Sequence, residues 1–304
     1  MLRALAPAKI NLGLFVGPLR DDGRHELVSV MQSISLADEL TLEPAPGGGD
    51  EVLCPGVPGA AEDNLAARAL ALFRARSGWD GPPVRLSVVK RIPLAAGLAG
   101  GSADAAAALR LAAQASGVRE EALLAQIAAE LGADVPAQVA PGRWLATGAG
   151  ERLQPLPPPR AALGVLVAPV AAELSTAAVY AQADRLGELR SAAELKRLRG
   201  ELAAALAGGE QLPADALLVN DLQRAALQLC PQVAEVLEQV RAAGAAHALV
   251  SGSGPTVLGL FAGADGVAAA ERAALRLGAR TPAAICAAGV DAAFGQVTQL
   301  AASA

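Results

Sequence analysis

Two groups of residues have types and spacing that could do chemistry: one could cradle an anion, the other sets polar side chains in apolar surroundings. The first is the run Lys90-Arg-Ile-Pro-Leu-Ala-Ala-Gly-Leu-Ala-Gly-Gly-Ser-Ala-Asp-Ala105. Gly97, Gly100 and Gly101 carry no Cβ, so backbone N–H groups there can close on an anion. A strand-like run, Val84 to Val89, precedes the stretch, and a helix-forming run, Ala103 to Ala115, follows it. The helix start offers unpaired N–H donors and a partial positive charge to the same anion. Ser102 is expected to cap that helix, and its hydroxyl could reach a phosphate oxygen or a metal. Read alone, the stretch fits either a phosphate cradle or a mobile loop with a serine cap. It is neither a Walker A loop nor a dinucleotide fingerprint, because the glycine spacing differs from both. The second group is polar residues in apolar surroundings. Lys9 and Asn11 lie two apart beside the alternating run Leu12, Leu14, Val16, and Asp134 lies in Leu131-Gly-Ala-Asp-Val-Pro136. Taken singly, each has a plainer reading: a snorkelling lysine, a capping asparagine, an aspartate in a surface turn.

The elements that must hold these residues are legible from periodicity. Residues 1–45 alternate as strands, with Leu2 to Ala6, Ile10 to Val16, Leu27 to Ile34 and Leu40 to Leu42 as the apolar runs. Pro46 to Pro58 reads as a loop. Asp63-Asn-Leu opens a helix with Asp63 as the expected N-cap. Two alanine-rich helices are expected over about 103–115 and 119–131. Four prolines between Pro155 and Arg160 make the clearest break in composition, and the expected domain boundary. Beyond it come a strand over Leu163 to Val167 and a helix capped by Ser175. A charged, exposed helix follows over Ala192 to Ala207, then an amphipathic one on Val233, Val236, Leu237 and Val240. A strand, turn, strand segment over His247 to Phe261 comes next, then a helix over Ala268 to Leu277 and a last strand over Ala283 to Gly289.

Composition narrows the class. The 304 residues suffice for one large or two moderate domains with a substantial core. Hydrophobic residues make up 53%, yet no uninterrupted apolar run is long enough to span a bilayer, and the first residues lack the apolar core of a secretory signal. The expectation is a soluble, cytoplasmic protein with no membrane partner. Cys54, Cys230 and Cys286 are far apart and form no metal-binding spacing. The net charge of −5 and the lack of a basic tract argue against nucleic acid as a partner. Aromatics are only 2%, so the core must be aliphatic and each aromatic is worth locating.

The glycine stretch resembles the phosphate loop of the GHMP kinases, P-x-x-x-G-L-x-S-S-A, through Pro93, Gly97, Leu98, a Gly-Gly insertion, Ser102 and Ala103. A longer form, G-L-G-G-G-S-S-D-A-A, marks the branch of that family acting on 4-diphosphocytidyl-2-C-methyl-D-erythritol. Here it reads Gly97 to Ala106, departing at Ala99 and Ala103. Pro7-Ala-Lys-Ile-Asn-Leu-Gly-Leu14 with Asp22-Gly-Arg-His-Glu-Leu27 resembles the first motif of the same branch, with Arg24 where the branch has tyrosine. Gly132-Ala-Asp-Val-Pro136, Asn220-Asp-Leu222 and Ser251-Gly-Ser-Gly-Pro-Thr256 match further motifs in register. After Pro136 the branch has two phenylalanines where this chain has Ala137 and Gln138.

The resemblance implies a two-domain α/β (α+β) fold, over 1–158 and 159–304, with the nucleotide near the domain interface. It implies ATP-dependent phosphorylation of the 2-hydroxyl of a cytidine diphosphate-linked methylerythritol, with Asp134 as general base and Lys9 as stabilising cation. ATP would be held by Pro93, Ala95, Ala96, Gly97, Leu98, Ala99, Gly100, Gly101, Ser102 and Ala103, with Asn64 and Lys90. Mg2+ would arrive with ATP and touch Ser102. The cytidyl substrate would meet Asn11, Arg24, His25, Tyr180, Ser251 and Gly252. Arg24 and Tyr180 are expected on opposite faces of the cytosine, with His25 at its edge. Another GHMP kinase, of homoserine or phosphomevalonate type, and a non-catalytic nucleotide-binding regulator remain as alternatives. A monomer or homodimer is expected.

Overall fold

The computed structural model describes residues 1–278 and 282–300. The first two strands, β1 (Leu2–Leu19) and β2 (His25–Pro44), form one long antiparallel ribbon. The register shifts between Pro7 and Lys9, between Asn11 and Gly13, and between Val16 and Leu19. Irregularities of this kind bend a strand and re-aim its side chains, and two of them flank the Lys9–Asn11 pair. The ribbon is the centre of a seven-stranded sheet. The second half of β2 pairs with β4 (Val84–Val89), which carries β3 (Glu51–Leu53) at its edge. Its first half pairs with β5 (Arg143–Gly148), which turns back as β6 (Arg152–Pro155).

Helices α1 (Leu65–Ser77), α2 (Gly100–Ser116) and α3 (Glu121–Leu131) pack together, and α2 lies on β1 and β2. The buried residues of α2 are mostly alanine, from Ala103 through Ala113. Short side chains let α1 and the ribbon approach it closely, while Leu70, Phe73, Leu109 and Leu111 supply the bulk. The short helix α4 (Val135–Val139) closes this half of the site.

A second sheet of four antiparallel strands has the order β10 (Ile285–Ala288), β7 (Gly164–Ala168), β9 (Val257–Phe261), β8 (His247–Val250). Its pleat sends alternate residues to two cores. Val165 and Val167 join the core of the first sheet. Leu166 and Ala168 face α7 (Gln223–Leu229), α8 (Gln232–Ala242) and α9 (Gly266–Leu277) instead. Helix α5 (Thr176–Leu186) packs on α7 and leads toward the site with Ser175 as its cap.

Two elements from the second half of the chain return to the first sheet. Helix α6 (Ala192–Leu206) packs on β1, β2 and β5. The expectation that α6 is an exposed helix is corrected: Leu195, Leu198, Leu202 and Leu206 form a buried stripe at helical spacing, and only the other faces are charged. The last strand, β11 (Thr298–Gln299), pairs antiparallel with the start of β1. No sequence periodicity marks this two-residue strand. Among the described residues no helix is long and apolar enough to cross a membrane.

Helix starts also differ from expectation. Asn64, not Asp63, caps α1, and its side chain accepts from Ala66 N at 2.9 Å. Helix α2 begins at Gly100, so Ser102 sits inside its first turn rather than at its cap. The cap position is Ala99, in left-handed backbone with φ 55. Only Ala95 and Ala99 among the described non-glycine residues have positive φ, and both lie in the glycine-rich loop. A Cβ in that region costs on the order of 1 kcal/mol. Ala99→Gly is therefore expected to raise thermal stability by about 1 kcal/mol. A melting temperature below that of the unaltered chain would show that Ala99 is not strained.

Candidate active site

Lys9 and Asn11 are buried on β1, at 8% and 3% exposure. A lysine so placed needs partners, because an unpaired buried cation is costly. Lys9 Nζ donates to Asn11 Oδ1 at 3.0 Å and lies 3.5 Å from Asp134 Oδ1. Asn11 Nδ2 donates to Ser29 Oγ at 2.6 Å, and Ser29 Oγ donates to Gly13 O at 2.7 Å. This chain of bonds crosses the β1–β2 ribbon and fixes the direction of the ammonium.

Asp134 occupies the N-cap position of α4, yet its side chain makes no capping bond. The carboxylate is free to face a cavity of about 350 Å³ lined by Lys9, Asn11, Ser29, Met31, Gly97, Ala99, Tyr180, Gly252 and Ser253, among others. Leu27, Ser29 and Met31, at alternate positions of β2, form one wall. The turn Ala149–Gly150 forms another, held because Ala149 N donates to Glu151 Oε2 at 2.6 Å.

The glycine loop runs between this cavity and a second one. Gly97 and Ala99 line the first. Asn64, Lys90, Leu94, Gly101 and Asp104 line the second, of about 310 Å³, together with Val52, Cys54 and Val57. No side chain caps α2, so the N–H groups of its first turn are left for a ligand. A Cβ built on Gly101 would meet only Leu65 Cδ1, at 3.5 Å. Gly97 is different: its φ is +69, and a Cβ would lie 2.5 Å from Ser251 O. The turn Ser251 to Gly254 presses on the loop there, and Ser251 Oγ donates to Gly97 O at 3.1 Å. Asn220 braces that turn by donating to Val250 O at 2.8 Å and Gly252 O at 2.7 Å.

The side chains of Ala96, Leu98 and Ala103 are buried in the core, so these residues can offer a ligand only backbone. Pro93 and Ala95 flank the loop, and Ser102 lines neither cavity. Lys90 is committed to two carboxylates: it bonds Asp38, and it bonds Asp104 at 2.6 Å. Asp38 also accepts from the N–H groups of Arg91 at 2.5 Å and Ile92 at 2.8 Å, which seats the start of the loop. Burial, with Asp38 close by, pushes the Asp104 carboxyl well above its usual range despite Lys90. One oxygen of Asp104 has no partner.

Residues expected at the cytosine are arranged differently from expectation. Arg24 lines neither cavity; it folds back on Asp22 in the β1–β2 turn, bonding it at 2.9 Å, with about half its side chain in water. An aspartate two residues away is a nearer partner than anything across the cavity. His25 stacks directly on Tyr180, with ring centroids 5.3 Å apart and planes at 29°. That contact leaves no slot for a third ring between them. His25 Nδ1 donates to Gly17 O at 2.9 Å, and Nε2 lies 3.3 Å from Asp184. Tyr180 lines the cavity with Asp134 near enough to matter: burial, then the Asp134 charge, pushes its phenol up to about 12.

Several residues of the site escaped sequence reasoning. Ser29 had a signal: it is the polar member of the buried phase Leu27, Ser29, Met31. Thr176 and Ser253 line the cavity from the second half of the chain, their hydroxyls 3.0 Å apart. Asp104 had a signal, being the aspartate of the motif over Gly97 to Ala106, whereas Asp38 had none beyond being an acidic residue in an apolar run.

Comparison with known proteins places the chain in a family. The family pattern for the GHMP kinases N terminal domain matches residues 64–142, and that for the GHMP kinases C terminal matches residues 188–280. A 4-diphosphocytidyl-2-C-methyl-D-erythritol kinase of Streptomyces avermitilis is 44% identical over 280 residues, covering 90% of this chain and 92% of that one. The enzyme of the same name from Thermobifida fusca is 46% identical over 276 residues, covering 85% and 86%. A crystal structure of 4-(cytidine 5'-diphospho)-2C-methyl-D-erythritol kinase superposes with a TM-score of 0.76 at 36% identity, covering 95% of this chain and 99% of that chain. A homoserine kinase from Cytophaga hutchinsonii shares the fold, with a TM-score of 0.74 at 18% identity, covering 98% and 97%. By sequence match along most of its length, the chain belongs to the 4-diphosphocytidyl-2-C-methyl-D-erythritol kinase family of the GHMP kinases.

Proposed function

We propose that this chain transfers the γ-phosphoryl group of ATP to the 2-hydroxyl of 4-diphosphocytidyl-2-C-methyl-D-erythritol, with Asp134 and Lys9 as its catalytic pair. The observation that carries the residue roles is the 3.5 Å approach of Lys9 to Asp134 in a cavity bordered by the glycine loop. Phosphoryl transfer asks a protein for positioning, for neutralisation of charge, and for a base on the accepting hydroxyl. The alcohol enters the cavity of Asp134 and Tyr180, and its hydroxyl proton passes to the Asp134 carboxylate. Lys9, aimed by Asn11, faces the oxygen that becomes the nucleophile and the phosphoryl that it attacks. The nucleotide occupies the second cavity, with its phosphates over the N–H groups of Gly100, Gly101 and Ser102.

The donor set fits Mg2+ delivered with ATP. Such an ion is held by one or two protein oxygens plus phosphates rather than by a protein cage, and among the described residues there is no such cage. The Ser102 hydroxyl, in the first turn of α2, would hold it, and bound Mg2+ would supply charge neutralisation on the phosphates. Cytosine stacks on the face of Tyr180 turned away from His25, so Arg24 takes no part.

The test is ADP release with 4-diphosphocytidyl-2-C-methyl-D-erythritol, homoserine and phosphomevalonate offered separately. Turnover is expected with the cytidyl substrate alone, with phosphorus NMR placing the new phosphate on the 2-hydroxyl. Turnover only with one of the smaller alcohols would overturn the substrate, and ATP binding without turnover of any alcohol would favour a regulator.

A further inference from the structure

Arg110 lies outside both cavities but touches every element that builds the catalytic pair. It sits on α2, the helix whose first turn faces the phosphates. Its Nη1 donates to Gln138 O at 2.5 Å and to Val139 O at 3.4 Å, and its Nη2 donates to Leu5 O at 2.7 Å. Gln138 and Val139 end α4, the single short helix that starts from Asp134. Leu5 lies on β1, four residues before Lys9. The guanidinium therefore satisfies carbonyls that a helix end leaves open and ties them to the strand of the lysine. Among the described residues no carboxylate pairs with Arg110, and its buried Nε has no partner. Burial draws its pKa down to about 10. A cation held only by carbonyls is costly to keep, and its three bonds all run to the frame of the site.

Gln138 completes the frame. Its Nε2 donates to Pro7 O at 2.9 Å, and its Oε1 accepts from Ser33 Oγ at 3.3 Å. The short helix α4, seated by buried Val135 and Ala137, is thus stitched to β1 and β2 through its one polar side chain.

We propose that Arg110 is a positioning residue for the phosphoryl transfer, locking α4 to β1 and α2 so that Asp134 is held at Lys9. The proposal rests on the reading of Asp134 as the base. Misplacing a reacting group by about 1 Å can cost on the order of 10²-fold in rate. Arg110→Met is expected to lower kcat by about 10–100-fold with the ATP KM within about threefold of the original. The same change made in Asp134→Asn is expected to cost almost nothing further, because residues acting as one unit are not additive. Partial recovery of kcat in Arg110→Ala on adding ethylguanidinium is expected as well.

An unchanged kcat in Arg110→Met would overturn the proposal. So would an equal loss in both backgrounds, which would mark general damage to the fold. Should Arg110→Met not fold, Arg110→Lys, which keeps the charge but cannot span both carbonyl groups, undergoes the same two-background comparison. Full activity in Asp134→Asn alone would instead overturn the base reading, and with it the role given to Arg110, whatever Arg110→Met does by itself.

Discussion

Asp134→Asn is expected to lower kcat by about 10²–10⁴-fold, the usual worth of a positioned general base. The change preserves side-chain shape and removes only the ability to take a proton. It should leave the fold intact, since the Asp134 side chain is about one-third exposed and caps nothing. Lys9 keeps its bond to Asn11, so it is not left as a bare buried cation. The ATP KM should move little, because Asp134 lines the cavity on the alcohol side of the loop. Near-normal turnover by the folded variant would remove Asp134 as the base and point to direct attack by the alcohol with no side-chain assistance.

Gly101→Val is expected to raise the ATP KM at least tenfold and to lower kcat. Position 101 lies in the first turn of α2 and on the wall of the second cavity. A Cβ there makes only one ordinary contact inside the protein, with Leu65. Valine is also a better helix residue than glycine, so folding is not at risk. What the added branches meet is the space where phosphate must approach backbone. Gly97 would be a poorer probe, because a Cβ there collides with Ser251 O and would displace two loops at once. An ATP affinity by calorimetry equal to that of the unaltered chain, in a folded variant, would show that the phosphates bind elsewhere.

The sequence made legible those features that rest on local chemistry. Lys9 and Asn11 were visible because two polar residues at a strand spacing of two interrupt an apolar alternation. The glycine loop was visible because only glycine tolerates close backbone approach. Asp134, which on its own reads as part of a surface turn, was picked out by the family resemblance of Gly132 to Pro136. What stayed hidden depends on choices between partners. Ser102 had the residue type of a cap, but the chain enters α2 through Ala99 in left-handed backbone, a conformation that no propensity assigns to alanine. Arg24 had the planarity to stack on a base, and Asp22, two residues away, takes it instead. Asp38 could not be told from a surface acid until the fold brought it to Lys90, and the motif that contains Asp104 did not announce that Lys90 would be its partner. Arg110 reads as an ordinary helix arginine until the carbonyls around it are known.

The pairing of β11 with β1 has a consequence for how the chain is made. Thr298 Oγ1 donates to Arg3 O at 3.5 Å, across 295 residues of sequence, and Leu300 N donates to Met1 O at 3.0 Å. During synthesis from the ribosome the strand bearing Lys9 emerges long before its closing partner. Until β11 is made, the start of β1 at Leu2 and Arg3 carries open N–H and C=O groups on that side, the kind of edge that recruits foreign strands. The same closure brings the two ends of the sheet side by side in the finished molecule. A short peptide joining residue 1 to residue 300, with new ends opened in the proline-rich stretch 155–160, would turn that order around: the closing strand would then be translated directly before β1, and the start of β1 would be covered as soon as it formed.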